Sequence, residues 1–185
     1  MDFNKLLKVF FEKANVNNID IYNEISLQLE LGIFLRSQFK NYKIQFERNI
    51  SFFGITGTTK HEIDIVIFNK DKKEKYAIEL KFPKNGQYPE EMYSFIEDIV
   101  FMEELKREGF TKTYTLVVVS DLLFYEGGRV KTGIYSYFRD SKSITGKISK
   151  PTGKNKGISL LEVKYSYTIN WKDCYLGKYY FLEIL

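Results

Sequence analysis

The sequence predicts an α/β domain with a central mixed β-sheet and helices on its faces. Three observations carry this. Apolar residues recur at helical spacing near residues 3–14, 22–40 and 90–108. Residues 43–48, 62–69 and 76–82 alternate apolar and polar with period two, whereas 113–119 is apolar throughout, as a strand covered on both faces is. The order helix, strand, strand, strand, helix, strand then calls for one sheet layered between helices. The length agrees, because 185 residues make a single domain that buries roughly two-thirds of its unfolded surface without disulfides or structural metal.

Each element has a local reason. Residues 3–14 place Leu6, Leu7, Phe10 and Phe11 on one stripe, and Asn15 to Asn18 break it. In 22–40, Ile25, Leu29, Leu31, Phe34 and Leu35 are expected to line one broad face, and Gly32, which weakens a helix by about 1 kcal/mol relative to alanine, implies close packing. Gly54, Gly57 and three threonines make 50–60 a loop. KDKKEK at 70–75 is a charged turn between two strands, and Pro83 to Pro89 form a loop. Residues 90–108 carry Met92, Phe95, Ile96, Ile99, Met102 and Leu105, with Gly109 as a C-terminal stop. Strand-like alternation returns in 159–169 and 178–185.

Composition excludes several classes. A hydrophobic fraction of 44% with 28% charged residues is incompatible with wholesale disorder. One cysteine, Cys174, cannot form an internal disulfide or a Cys-rich zinc site, and one histidine, His61, argues against multi-His metal centres and a His-based triad. Cys174 reads as a packed small hydrophobe, Trp171 as a core or interface residue and His61 as a loop-edge residue. No signal peptide and no membrane span are expected, so the expected compartment is the cytoplasm.

The chemistry concentrates in 62–81. With the turn centred on Asp71-Lys72, antiparallel partners place Ile65 opposite Ile78, Asp64 opposite Glu79 and Glu62 opposite Lys81. Opposed residues share a face, with Cβ atoms about 4.5–5.5 Å apart. Asp64, Glu79 and Lys81 therefore converge on one face, and Ile63, Ile65, Ile78 and Leu80 line the other. Facing carboxylates repel unless a cation lies between them, and Mg²⁺ binds through few protein carboxylates beside phosphate oxygens. Lys81 on the same face can hold an attacking water or steady charge on a phosphate. The plainer alternative is a cross-strand Glu62–Lys81 ion pair with Asp64 and Glu79 solvated.

The arrangement resembles the PD-(D/E)XK nuclease superfamily, with a restriction-endonuclease-like helix–three strands–helix–strand core over about 22–120. The matching pieces are Glu24 in NEISLQLELGIFLR, Asp64 in EID and Glu79-Leu80-Lys81 in IELKF; Ile63 stands where the family motif has proline. The resemblance implies Asp64 and Glu79 as metal ligands, the Leu80 carbonyl as a further ligand, Lys81 as the catalytic lysine, and Glu24 reaching the metal directly or through water. It implies Mg²⁺ as cofactor, with Mn²⁺ substituting, and DNA rather than RNA as substrate, in a restriction, repair or phage-defence setting. Glu24 and Glu30 lie about 240° apart on a helix, so only one can face the site; Glu24, with Leu27 and Leu31 following, is preferred. Gln87 and Lys84 are candidate substrate contacts, while Tyr93 reads as structural.

Residues 127–158 supply a second signal. Eight cations against one acid give this basic extension +7, which leaves −3 for the rest of a chain of net charge +4. Arg129, Lys131, Arg139, Lys147, Lys150 and Lys154, interleaved with aromatics, form a polyanion-binding composition; a solvated loop is the alternative. Double-strand cleavage favours a homodimer. The other readings kept are a catalytically silent nucleic-acid- or protein-binding module, and a nuclease subunit that requires a partner.

Overall fold

The computed structural model describes residues 2–127, 130 and 132–185. Helix α1, Phe3–Val16, is capped by Asp2, whose side chain accepts the Lys5 amide at 3.1 Å, and it buries Phe3, Leu7, Phe10, Phe11 and Ala14. Helix α2, Glu24–Gln38, opens on a reciprocal cap: Asn23 Oδ1 accepts the Ser26 amide at 2.8 Å and Ser26 Oγ accepts the Asn23 amide at 3.0 Å. Its buried residues are Leu27, Leu31, Gly32 and Leu35. The broad face expected from the sequence is therefore corrected, since Ile25 is 73% and Leu29 51% exposed. Each lies two residues before a buried leucine, about 200° round the helix, so burying Leu27 and Leu31 turns Ile25 and Leu29 outward. Gly32 does mark close packing: a Cβ there would lie 2.2 Å from Phe46 Cζ.

Strands β1 (Lys43–Asn49), β2 (Glu62–Phe68) and β3 (Lys75–Lys81) form an antiparallel meander. Helix α3, Tyr88–Arg107, crosses over to β4, Lys112–Val119, which runs parallel to β3. Short helix α4, Tyr135–Arg139, and strands β5 (Ile144–Ser149) and β6 (Leu160–Tyr167) follow. The chain then returns to the main sheet through β7 (Lys172–Cys174) and β8 (Gly177–Ile184). The sheet order is β1-β2-β3-β4-β8-β7, with β5 and β6 as a separate pair. One α/β domain results, its mostly antiparallel mixed sheet flanked by helices.

Two apolar clusters lie on opposite sides of the sheet. Helices α1 and α2 cover Ile65, Ile67, Ile78, Leu80, Leu116 and Val118. Helix α3 covers Val66, Phe68, Ala77, Val117 and Val119, and on its far side it is closed by Ile148, Leu161, Val163 and Tyr167 of the β5–β6 pair. The layers are thus α1/α2, sheet, α3, hairpin. Ile63 belongs to the α3 side rather than sharing a face with Ile65, which corrects the strict alternation predicted. The β1 partner between the Phe46–Ile65 and Arg48–Ile63 pairs is Glu47, at φ 45°, and this left-handed residue breaks the pleat there.

A helix enclosed on both sides reads apolar around its circumference, and α3 buries Met92, Phe95, Ile96, Ile99, Val100, Phe101 and Met102. Its buried acids are held: Glu103 accepts the amides of Lys164 (3.0 Å) and Tyr165 (3.0 Å) and the Tyr167 hydroxyl (3.0 Å), which pins β6 to the helix. Trp171 packs against Tyr180 and donates to the Phe138 carbonyl at 2.8 Å. Among the described residues no helix is long and apolar enough to cross a membrane.

Candidate active site

The register of the β2–β3 hairpin brings two acids together. Ile65 pairs with Ile78, as the alternation and charged turn predict. One step beyond, each acid reaches across to the other strand's backbone: Asp64 Oδ2 accepts the Leu80 amide at 2.7 Å, and Glu79 Oε1 accepts the Asp64 amide at 3.2 Å. Asp64 and Glu79 are therefore brought beside each other at the end where the strands part. The β2–β3 ladder stops at the Ile65–Ile78 pair, so the expected Glu62–Lys81 opposition does not form, and Glu62 pairs with Asn49 on β1. The Lys81 ammonium donates to its neighbouring Leu80 carbonyl at 3.1 Å and lies 3.8 Å from Glu24 Oε1 and 3.7 Å from Asp98 Oδ2.

Helix α2 aims two side chains at this end of the hairpin. Glu24 Oε2 accepts the Phe82 amide at 3.0 Å, and Gln28, one turn on, donates to the Asp64 carbonyl at 2.8 Å. Glu24, not Glu30, is the helix acid brought to the cluster. Gln28 was not foreseen.

Two further members were also missed. Asp98 of α3 has a side chain only 1% exposed and ion-paired to both Lys60 and Lys81. Lys60, the last residue before His61 in the loop leading to β2, also pairs with Glu79 Oε2 at 2.8 Å. Asp98 left a signal: it lies three residues after Phe95 and four before Met102, on the inward stripe, where a carboxylate needs a partner. Lys60 left none, because no periodicity extends into its glycine- and threonine-rich loop.

The electrostatics follow from burial. Four acids (Glu24, Asp64, Glu79 and Asp98) face two ammonium groups, two negative charges in excess if all ionise. Burial pushes the Asp64 carboxyl up to about 7, against the pull of the Leu80 amide and the Lys81 charge. Burial, then the charges of Asp64 and Asp98, raise Glu79 to about 8. Burial opposes the ammonium forms of Lys60 and Lys81, yet Asp98 above all keeps both raised.

Among the described residues, no group of three or more His, Cys, Asp or Glu side chains is placed as a metal cage. The donor chemistry nevertheless fits a hard divalent cation: the groups are carboxylate and carbonyl oxygens, and with all four acids ionised the cluster lacks two positive charges. Asp64, Glu79 and the Leu80 carbonyl would hold it.

The remaining candidates divide. Lys84 stacks its ammonium 3.6 Å from the Phe82 ring centroid, and burial lowers its pKa. Gln87 sits exposed at the start of α3, Tyr93 is buried in the core, and His61 is exposed with its carbonyl accepting the Ile50 amide. Cys174 is half-buried, and burial raises its thiol pKa. In the basic extension, Arg139 is committed internally: its guanidinium donates to the Leu123 and Val130 carbonyls and lies 4.1 Å from the Tyr135 ring centroid. Lys147 and Lys154 are exposed and Lys150 half-exposed. The β5–β6 connection carrying Lys150 and Lys154 is tied to α3 by a Thr152–Glu90 hydrogen bond. Glu90 is eight residues before Asp98, about 12 Å along the helix. Arg129 and Lys131 lie outside the described residues.

No family model, curated protein or solved structure matches the chain at a significant level.

Proposed function

We propose that this protein is a Mg²⁺-dependent endonuclease of the PD-(D/E)XK type, with Mn²⁺ able to substitute, acting on DNA. One observation carries the reading: Asp64 and Glu79 meet at the hairpin end, with the Lys81 ammonium and Glu24 beside them. The cation, when bound, supplies neutralisation of the phosphoryl charge and a more acidic water. Asp64, Glu79 and the Leu80 carbonyl orient it. Lys81, 19% exposed at its side chain, holds the attacking water or balances charge growing on the phosphate, and Glu24 and Asp98 fix its direction. Lys150 and Lys154 meet flanking phosphates from the basic connection tied to α3. A restriction, repair or phage-defence role fits this chemistry.

Supercoiled plasmid incubated with Mg²⁺ tests the proposal. Nicking or linearisation is expected, and EDTA, Asp64→Ala or Lys81→Ala each abolish it; cleavage that survives all three overturns the mechanism. A second reading is favoured by Lys60, which already supplies a cation to Glu79 and Asp98: a silent module with the same fold that binds DNA in EDTA and never cuts it.

A further inference from the structure

We propose that Lys60 is a built-in competitor for the divalent cation, an ammonium plug that must leave Glu79 before the metal can load. The inference rests on the cation-dependent reading above. Glu79 Oε1 is engaged by the Asp64 amide, and Oε2, the oxygen left for a metal, receives Lys60 at 2.8 Å. The Glu79 and Asp98 side chains are each 1% exposed, whereas Lys60 is 26% exposed, so the ammonium stands between the buried acids and solvent. The plug is held by a strap. Glu104 on α3 accepts the Thr59 amide and the Thr59 hydroxyl, one on each carboxylate oxygen, both at 2.7 Å. Thr59 is thereby fixed on the helix one residue before the lysine, and Lys60 is aimed inward. A site closed in this way has its apparent affinity reduced by the fraction of molecules in which the lysine is out.

The test is Mn²⁺ binding to the full chain, followed by the electron paramagnetic resonance of free Mn²⁺, with no substrate present. Lys60→Gln is expected to bind Mn²⁺ at least about tenfold more tightly than wild type. Glu104→Ala, which loosens the strap and leaves every site charge in place, gains less, and Asp64→Asn removes the binding in each background. A lysine with only a structural role leaves affinity unchanged or weakened on removal. Equal Mn²⁺ affinity of wild type and Lys60→Gln, with binding still lost in Asp64→Asn, overturns the plug and spares the cation site. No Asp64-dependent binding in any variant overturns both. Should Lys60→Gln fail to fold, Asp98→Asn against Lys60→Gln/Asp98→Asn makes the same comparison with the buried charge reduced, and the same gain is expected.

Discussion

The two hairpins of this chain treat charge in opposite ways. The β2–β3 hairpin draws Asp64 and Glu79 inward near its open end, where each carboxylate is bonded to amides or ammonium groups of the protein. The β5–β6 hairpin leaves its charges outside, and Lys147 and Lys154 are exposed to water. Buried charge is costly unless paired, so its geometry is tightly specified; exposed charge is cheap and leaves geometry loose, suited to a partner that is itself a line of charges. The first hairpin resembles a site for chemistry, the second a surface for attraction.

Substitutions should separate the two. The largest effect is expected on activity: Lys81→Ala abolishes detectable plasmid cleavage, a fall in initial rate of at least about 10²–10³-fold, while leaving DNA retention in EDTA intact. Next comes stability. Asp98→Ala takes one of the two acid partners from each of Lys60 and Lys81 and should cost about 3–5 kcal/mol in urea unfolding. Glu103→Ala leaves the Lys164 and Tyr165 amides unpaired and should cost about 2–3 kcal/mol, with amide-exchange protection lost first in β6. Equal protection loss in β2 would show that the hairpins are not independent.

A pH series sharpens the contrast further. Asp64 and Glu79 rise from ordinary values of 3.8 and 4.5 to about 7 and about 8, so the folded state holds protons that the unfolded state releases. Their contribution is fully present below pH ~4 and fades as pH climbs through the folded values. The metal-free melting temperature should therefore fall from pH 5 to pH 8, and Asp64→Asn should flatten the slope. The smallest effect is expected at the second hairpin. Lys150→Ala/Lys154→Ala should leave stability within about 0.5 kcal/mol and reduce the salt slope of DNA binding by about two.

What the sequence revealed tracks the same divide. Register came from alternation on both sides of a charged turn, and the acids followed from it; the separation of Glu24 from Glu30, about 240°, left room for one helix acid, and the spacing of Leu27 and Leu31 favoured Glu24. Lys60 was hidden because its pairing depends on a loop meeting a helix 38 residues later, which no local period encodes, whereas Asp98 stood in plain sequence on the inward stripe of α3. Strand β5 was hidden inside the basic extension because Gly146, at φ 70°, interrupts its pleat and Lys147 occupies its outer side. Ile25 and Leu29 misled because apolar residues stood on both sides of α2, and only the approach of Gly32 to Phe46 shows how the helix sits.

The enclosure of α3 has a consequence for how the chain is made. Its outer surface is sealed by residues encoded about sixty positions later, the Glu103–Lys164 link spanning 61. On the ribosome, then, a greasy helix is finished well before its roof exists. A nascent chain paused between the two presents sticky surface to chaperones and to its neighbours, and productive synthesis depends on the roof arriving promptly.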